Sequence, residues 1–442
     1  MAGINPFKPN YPVTPGMFVG RTDELDRLEA QLIQTRAGNP ANFIITGERG
    51  IGKSSLLMYL KFVAEGEIPI GEANVKFLVV DTDIDESTTQ LGLVQKIELG
   101  IRKQLGQSDP ARVFLAEVWG FLQRIEAAGF KIAPLQKGQA DELLLEEFSY
   151  SLARLAERLC GQDVPQAPFA THYDGILILI DEADNASKGL QLGSFLKLLM
   201  ERLHRRECSR VMIGLAGLPE LPRVLMTSHP SAIRLFDELH LGRLSTEEVS
   251  RFITLALEEA EQANEIATEM TEPARQFLVL MSEGYPHFIQ QFGYSAFAAD
   301  VDNSIDEEDA HRGAFGPLGA MELIGERYYR DAFYNKVQKD SYRQVLRIMA
   351  DQLDGWVTKP QIRARFKGKT SILDNAIHAL RERGIILSKV GEKGVYRLQH
   401  KGFALWMKMY TTDPSALQRS LEIANGEAPD EGEARDSTAP SG

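Results

Sequence analysis

Gly47-Glu48-Arg49-Gly50-Ile51-Gly52-Lys53-Ser54 fits the spacing GxxxxGK[ST] at every fixed position. The residues before it, Asn42-Phe-Ile-Ile-Thr46, read as a short buried strand. Those after it, Ser55 to Lys61, read as the first turns of a helix. A strand, a glycine-rich turn and a helix in that order surround one point with backbone amides and the positive end of a helix dipole, which suits a phosphate. Lys53 is then expected to reach the β- and γ-phosphates, and Ser54 to offer its hydroxyl to Mg²⁺. The expected nucleotide contacts are Gly47, Glu48, Arg49, Gly50, Ile51, Gly52, Lys53, Ser54 and Ser55. The bland alternative is a glycine-rich turn that matches by chance, and the flanking strand and helix argue against it.

A second motif stands at a fitting distance. Ile176-Leu-Ile-Leu-Ile180 is a continuous apolar run, as a parallel strand buried on both faces requires. It ends in Asp181-Glu182-Ala183-Asp184, the hhhhDE form of a Walker B element. Asp181 would hold Mg²⁺ and Glu182 would orient or deprotonate the attacking water. Read alone, the acidic pair fits a helix N-cap with an acidic first turn equally well. Together the two motifs imply binding of ATP or GTP with Mg²⁺, and hydrolysis.

A chain of 442 residues has room for two or three domains. No apolar run approaches the roughly 18 residues that span a bilayer, and the start lacks the basic-then-apolar form of a secretion signal. Cys160 and Cys208 have no metal spacing and read as free thiols of a reducing compartment, so the expected location is cytoplasmic, with no membrane contact.

The net charge of −13 is unevenly spread. Lys336 to Tyr410 hold 16 Lys and Arg against 6 Asp and Glu, whereas Thr411 to Gly442 hold 2 against 7. A basic module on an acidic body suggests an anionic partner, with nucleic acid the leading candidate. The other reading is internal, the basic module docking on the acidic body or under the acidic tail.

Pro6, Pro9, Pro12 and Pro15 recur every three residues and predict an extended, non-helical arm over 1–17. The nucleotide core is expected over 18–240, with a second strand at Val75–Asp81 and an insertion of helix-like pieces at about 106–170. A helical lid is expected over 241–300, opened by Ser245 with Glu248 three residues on, a capping box. A polar linker over 301–336 and a disordered acidic tail over 411–442 complete the outline.

Phe18-Val-Gly-Arg-Thr-Asp-Glu-Leu25, the phosphate loop and Ile180-Asp-Glu-Ala-Asp184 together resemble the AAA+/STAND group of P-loop ATPases. The likeness is narrower to the clade of archaeal-type ATPases, origin-recognition initiators and transposon target-selection ATPases, and it covers roughly residues 15–300 by pattern. It implies an α/β core with a parallel sheet flanked by helices, an all-α lid and a C-terminal winged helix. It also implies that Phe18, Val19 and Arg21 line an adenine pocket, although core packing explains Phe18 and Val19 equally well. Arg234, in Pro230-Ser-Ala-Ile-Arg234, stands where relatives carry an arginine finger, with a salt bridge to Asp237 or Glu238 as the alternative. Gly284-Tyr285-Pro286-His287 resembles the GxP signature of STAND lids, which makes Pro286 a nucleotide contact. A glycine helix end before a proline helix start accounts for the same residues. The chain departs from the family at Ala216-Gly217-Leu218, where a polar sensor residue is expected, and this favours a slow switch over a motor. No pore-loop aromatic pattern points to an unfoldase.

Residues 337–410 read as a winged helix-turn-helix. Thr358 caps a short helix, Lys367-Gly368-Lys369 makes a turn, and Thr370–Arg383 is the recognition-type helix. Ile372, Leu373, Ala376, Ile377 and Leu380 form its apolar face, with Ser371, Asn375 and His378 opposite. Gly391-Glu-Lys-Gly394 joins a hairpin wing. Lys367, Lys369, Ser371, Asn375, His378 and Lys393 are the expected contacts with double-stranded DNA.

The leading expectation is an ATP-hydrolysing switch that couples ATP or ADP to DNA binding. The alternative is a STAND-type signalling or defence scaffold that forms a homo-oligomer and whose winged helix contacts protein. No effector motif appears in the chain, so an effector would be a separate protein.

Overall fold

The computed structural model describes residues 3–13, 15–131, 137–161, 168–169, 171–352, 355–389 and 391–411. These fall into two compact units, one of Lys8–Leu255 with Gly284–His287, the other of the remaining chain.

The first unit is built on five parallel strands in the order β2-β3-β4-β1-β5. They are β1 (Asn42–Gly47), β2 (Phe77–Asp83), β3 (Gly175–Asp181), β4 (Val211–Gly217) and β5 (Phe236–Leu241). Strands β1 and β4 are buried along their whole length and β3 up to its last residue, and their centres are apolar, as strands covered on both faces require. Helices α1 (Thr22–Arg36), α2 (Lys53–Glu65), α3 (Gln90–Leu105), α6 (Leu192–Arg205) and α7 (Leu221–Ser228) alternate with them. The expected insertion supplies two long helices, α4 (Asp109–Lys131) and α5 (Lys137–Cys160), and Trp119, Phe148 and Phe195 pack together there. Residues 132–136, 162–167 and 170 of it lie outside the described residues.

Helix α8 (Thr246–Asn264) opens with a reciprocal cap: Ser245 N–H donates to Glu248 Oε2 at 2.7 Å, and Glu248 N–H to Ser245 Oγ at 3.2 Å. Helices α9 (Glu272–Ser282) and α10 (Pro286–Ala299) follow, between β6 (Glu269–Met270) and β7 (Ser304–Ile305), two short strands that pair in parallel.

Two expectations need correction. The arm over 1–17 is not wholly extended: Pro15–Met17 makes one 3-10 turn, whose φ proline already holds. Phe7 is 1% exposed, its ring against Gly293. The stretch 301–336 is folded rather than a polar linker. It carries α11 (Glu307–Phe315), α12 (Ala320–Ile324) and two π-helical turns, Gly325–Tyr329 and Asp331–Lys336. Asp306 and Asp309 form a reciprocal cap on α11, and its buried face is made of Asp309, Ala310, Gly313 and Ala314. Such small residues give little hydrophobic signal. Tyr329 and Phe333 then enter an aromatic cluster with Phe403 and Trp406.

The C-terminal part holds α13 (Asp340–Ala350), α14 (Lys359–Arg365), α15 (Thr370–Glu382) and α16 (Lys401–Tyr410). Its antiparallel sheet has the order β8-β10-β9, from β8 (Val357–Thr358), β9 (Ile386–Ser388) and β10 (Val395–Leu398). Thr358 and Gln361 cap α14 reciprocally. Ile372, expected on the apolar face of α15, is 40% exposed. Leu373, Ala376, Ile377 and Leu380 are buried. Val390 and residues 412–442, which include nearly all of the expected tail, lie outside the described residues.

Candidate functional site

Strand β1 runs into a turn whose Gly50 and Gly52 have φ of 78° and 101°, and Gly52 is the N-cap of α2. Positive φ at these two positions is what curls the turn back over the helix start. Lys53 Nζ lies over this turn and donates to the carbonyls of Gly47 at 2.8 Å and Glu48 at 3.0 Å. Burial lowers the Lys53 pKa, while Asp181, Asp184 and Glu220 oppose that shift and Arg49 adds to it. The cation is thus poor in solvent and rich in nearby carboxylates, an environment that exchanges readily for phosphate oxygens.

The two motifs meet directly. Ser54 Oγ donates to Asp181 Oδ2 at 2.8 Å, and the other carboxylate oxygen accepts the Glu182 N–H at 2.8 Å. A hydroxyl and a carboxylate in contact at the end of β3 form an all-oxygen donor pair, the chemistry Mg²⁺ takes alongside phosphate and water. Glu182 sits in the left-handed region at φ 51° and is exposed, with Asn185 Nδ2 3.4 Å from Oε2. The alternative of a plain helix cap does not describe this turn, since the Glu182 side chain makes no cap bond.

A brace that the sequence shows only in outline holds the loop from outside. Gly284 has φ 74°, and its carbonyl accepts the Leu244 N–H at 2.9 Å. A Cβ at Gly284 would stand 2.4 Å from the Leu244 carbonyl oxygen, so only glycine fits. Tyr285, 0% exposed, donates its hydroxyl to Glu48 Oε2, and the Arg243 guanidinium lies 4.6 Å from its ring centroid. Burial, with the Glu48 bond next, pushes the Tyr285 pKa well up and keeps it a donor. The His287 N–H donates to the Gly50 carbonyl at 3.2 Å, and the Pro286 ring stands over Gly52. Pro286 marks this turn in the sequence, whereas nothing there marks Arg243.

Arg21 is a second brace. Its guanidinium is buried and donates to the carbonyls of Ile51 at 3.2 Å and Gly242 at 2.5 Å. Phe18 stacks on Tyr59 at 5.2 Å, and Val19 is half-buried beside it in sequence. The Ser55 hydroxyl accepts the Val13 N–H at 3.3 Å.

Arg234 lies in a 3-10 turn, Ala232–Leu235, with its side chain exposed. Asp237, one of its alternative partners, instead accepts from Arg27 at 2.6 Å and Gln31 at 2.7 Å. Among the described residues Arg234 makes no ion pair.

In the C-terminal part, Lys367, Lys369, Ser371, Asn375, His378 and Lys393 are all exposed. The first five lie on α15 or the turn before it, and Lys393 lies in the turn between β9 and β10. Lys359 is paired with Asp374 at 2.6 Å and Lys389 with Glu392 at 2.6 Å, so those two cations are partly neutralised. Among the described residues no group of three metal-ligating side chains stands together, and no helix is long and apolar enough to cross a membrane.

A family model described as an AAA ATPase domain matches residues 17–213, from just before Phe18 into β4. No curated protein matches the sequence. Among solved structures, the Aeropyrum pernix ORC2 protein in its ADPNP-ADP complexes is similar at TM-score 0.55 and 14% identity, over 95% of this chain and 98% of that one. Cdc6p from Pyrobaculum aerophilum (TM-score 0.43, 12% identity, 94% of this chain and 98% of that one) and the Aeropyrum pernix ORC1 protein in complex with DNA (0.43, 16%, 93% and 95%) are more distantly similar. The parallel sheet, the phosphate loop, the family match and the likeness to the ORC2 protein give the first unit the P-loop fold of the AAA ATPase domain, to which residues 17–213 are similar.

Proposed function

We propose that this chain is a Mg²⁺-dependent ATP-binding and slowly ATP-hydrolysing switch whose nucleotide state governs binding of double-stranded DNA by a C-terminal winged helix-turn-helix. The observation that carries the nucleotide half is the contact of Ser54 with Asp181 beneath a lysine-covered, glycine-curled loop. The fold likeness to a protein solved with ADPNP and ADP supports it. Lys53, Ser54 and the loop amides hold the phosphates, Ser54 and Asp181 hold Mg²⁺, and Glu182 takes the proton of the attacking water. Ala216-Gly217-Leu218 at the end of β4 offers no polar sensor side chain, which suits slow turnover.

The DNA half rests on charge and exposure. Lys336 to Tyr410 carry ten more basic than acidic residues, and six polar or basic side chains of α15 and the neighbouring turns are exposed together. Three helices, α13 to α15, with a three-stranded antiparallel sheet whose β8 lies between α13 and α14 and whose β9 and β10 follow α15, are the parts of a winged helix. The scaffold reading draws on a different observation, the Gly284–His287 turn seated on the phosphate loop, at residues that resemble the GxP signature of STAND lids. One experiment separates the two: DNA affinity and molecular mass of the full chain with ADP and with a non-hydrolysable ATP analogue. Salt-dependent, nucleotide-dependent DNA binding supports the switch, whereas ATP-driven assembly that ignores DNA supports the scaffold.

A further inference from the structure

Strand β4 lies between β1, which leads into the phosphate loop, and β3, which ends in Asp181. Whatever stands at its end is flanked by both motifs. The strand closes on Leu215, Ala216 and Gly217, with Leu218 next, and brings no polar side chain there. A polar group arrives instead from the end of β3. Asp184, in the 3-10 turn Ala183–Asn185, accepts the Leu218 N–H through Oδ1 at 2.9 Å. Gly217 makes the approach feasible: a Cβ there would stand 2.5 Å from that same oxygen and 3.2 Å from the Asp184 nitrogen. A missing side chain on one strand and an acceptor from the next are therefore a matched pair.

The three carboxylates at the end of β3 have separate partners. Asp181 is bonded to Ser54, Glu182 is exposed near Asn185, and Asp184 is tied to the end of β4. Asp184 also adds to the negative field at the Lys53 ammonium, after Asp181 in size.

We propose that Asp184 is a positioning residue for hydrolysis, locking the end of β4 to the end of β3 and filling the place of the polar side chain that β4 lacks. The proposal rests on the ATPase reading. In that reaction a water oxygen bonds to the γ-phosphorus and the bond to the β–γ bridging oxygen breaks. ADP leaves with that electron pair, and the water's proton passes to Glu182. Asp184 exchanges no proton. It fixes the backbone between the phosphate loop and Glu182, so its loss raises the barrier while ground-state binding stays. The lock needs the acceptor oxygen, which asparagine keeps, so asparagine should serve where alanine fails.

The test uses the full chain with Asp184→Ala, Asp184→Asn and Gly217→Ala. Two readouts are taken: hydrogen exchange at the Leu218 amide without nucleotide, and kcat and KM for Mg-ATP. Asp184→Ala should speed Leu218 exchange about tenfold, as loss of one hydrogen bond would. It should lower kcat about 10²-fold, with KM within about threefold. Gly217→Ala, which displaces the carboxylate, should do the same, and Asp184→Asn should behave like the wild type in both. The proposal is overturned if Asp184→Ala keeps its kcat, if only KM moves, or if asparagine is as damaging as alanine. Wild-type protein that turns over no ATP would remove the ATPase reading and the catalytic part of this proposal with it. Unchanged Leu218 exchange in Asp184→Ala would remove the bond itself, whatever the turnover.

Discussion

The phosphate loop and the C-terminal helices α13 to α15 are both rich in polar groups, and they treat them in opposite ways. At the loop the polar groups are already engaged. Lys53 bonds two carbonyls, Ser54 bonds Asp181, Tyr285 bonds Glu48, and Arg21 bonds the Ile51 carbonyl. On α15 and the turns beside it, none of Lys367, Lys369, Ser371, Asn375, His378 and Lys393 makes a side-chain hydrogen bond or ion pair among the described residues. A preorganised site spends no reorganisation when charge develops. An open basic surface works through counterion release and needs no fixed geometry. The contrast predicts sharp, single-residue effects at the loop and graded, additive effects on α15.

The largest effect should come from Lys53→Ala. Turnover should vanish, and ATP affinity should fall about 100-fold, since a charge-assisted bond to phosphate is worth up to about 3 kcal/mol. Titration with a fluorescent ATP analogue checks this. Arg234→Ala should come next. A finger acting across a subunit interface lowers turnover by about 10³-fold and leaves ATP affinity within a factor of about two. A monomeric protein that stays fully active without Arg234 would remove the finger. Tyr285→Phe should cost about 1 kcal/mol in urea unfolding, because the hydroxyl bond to Glu48 is lost while the ring still packs under Arg243. An unchanged unfolding midpoint would show that the brace is held by its backbone bonds alone.

The smallest effects belong to the basic surface. Replacing Lys367 and Lys369 together should weaken binding to every DNA sequence alike and reduce the salt slope by about two. Replacing Asn375 should shift sequence preference with little change in overall affinity. A sharp loss from either change would erase the contrast between the two regions.

The loop and the end of β3 were legible because their chemistry is local: eight consecutive residues set the turn, and the apolar run before Asp181 sets the strand. The brace was half-legible. Pro286 marked the turn, yet its contacts with Glu48 and Gly50 cross more than 230 residues, and Arg243 stacks on Tyr285 with no spacing to announce it. Asp184 was visible as part of an acidic motif, but its bond to Leu218 depends on strand order, which periodicity does not report. The stretch 301–336 failed for a different reason. Its helices are short, α11 buries the small residues Ala310, Gly313 and Ala314 with the capping Asp309 and no large apolar side chain, and the π-helical turns that follow break the 3.6-residue period by which a helix is recognised.

The central claim is that Ser54, Asp181 and Glu182 form a working Mg-ATP site. Binding and turnover of Mg-ATP by wild type and Glu182→Gln, measured on the same preparation, test it most directly. The account predicts wild-type affinity in both proteins and a loss of turnover of about 10²- to 10⁴-fold in Glu182→Gln, since only proton acceptance is removed. Equal turnover in the two proteins, or a wild type that binds no ATP, would contradict it.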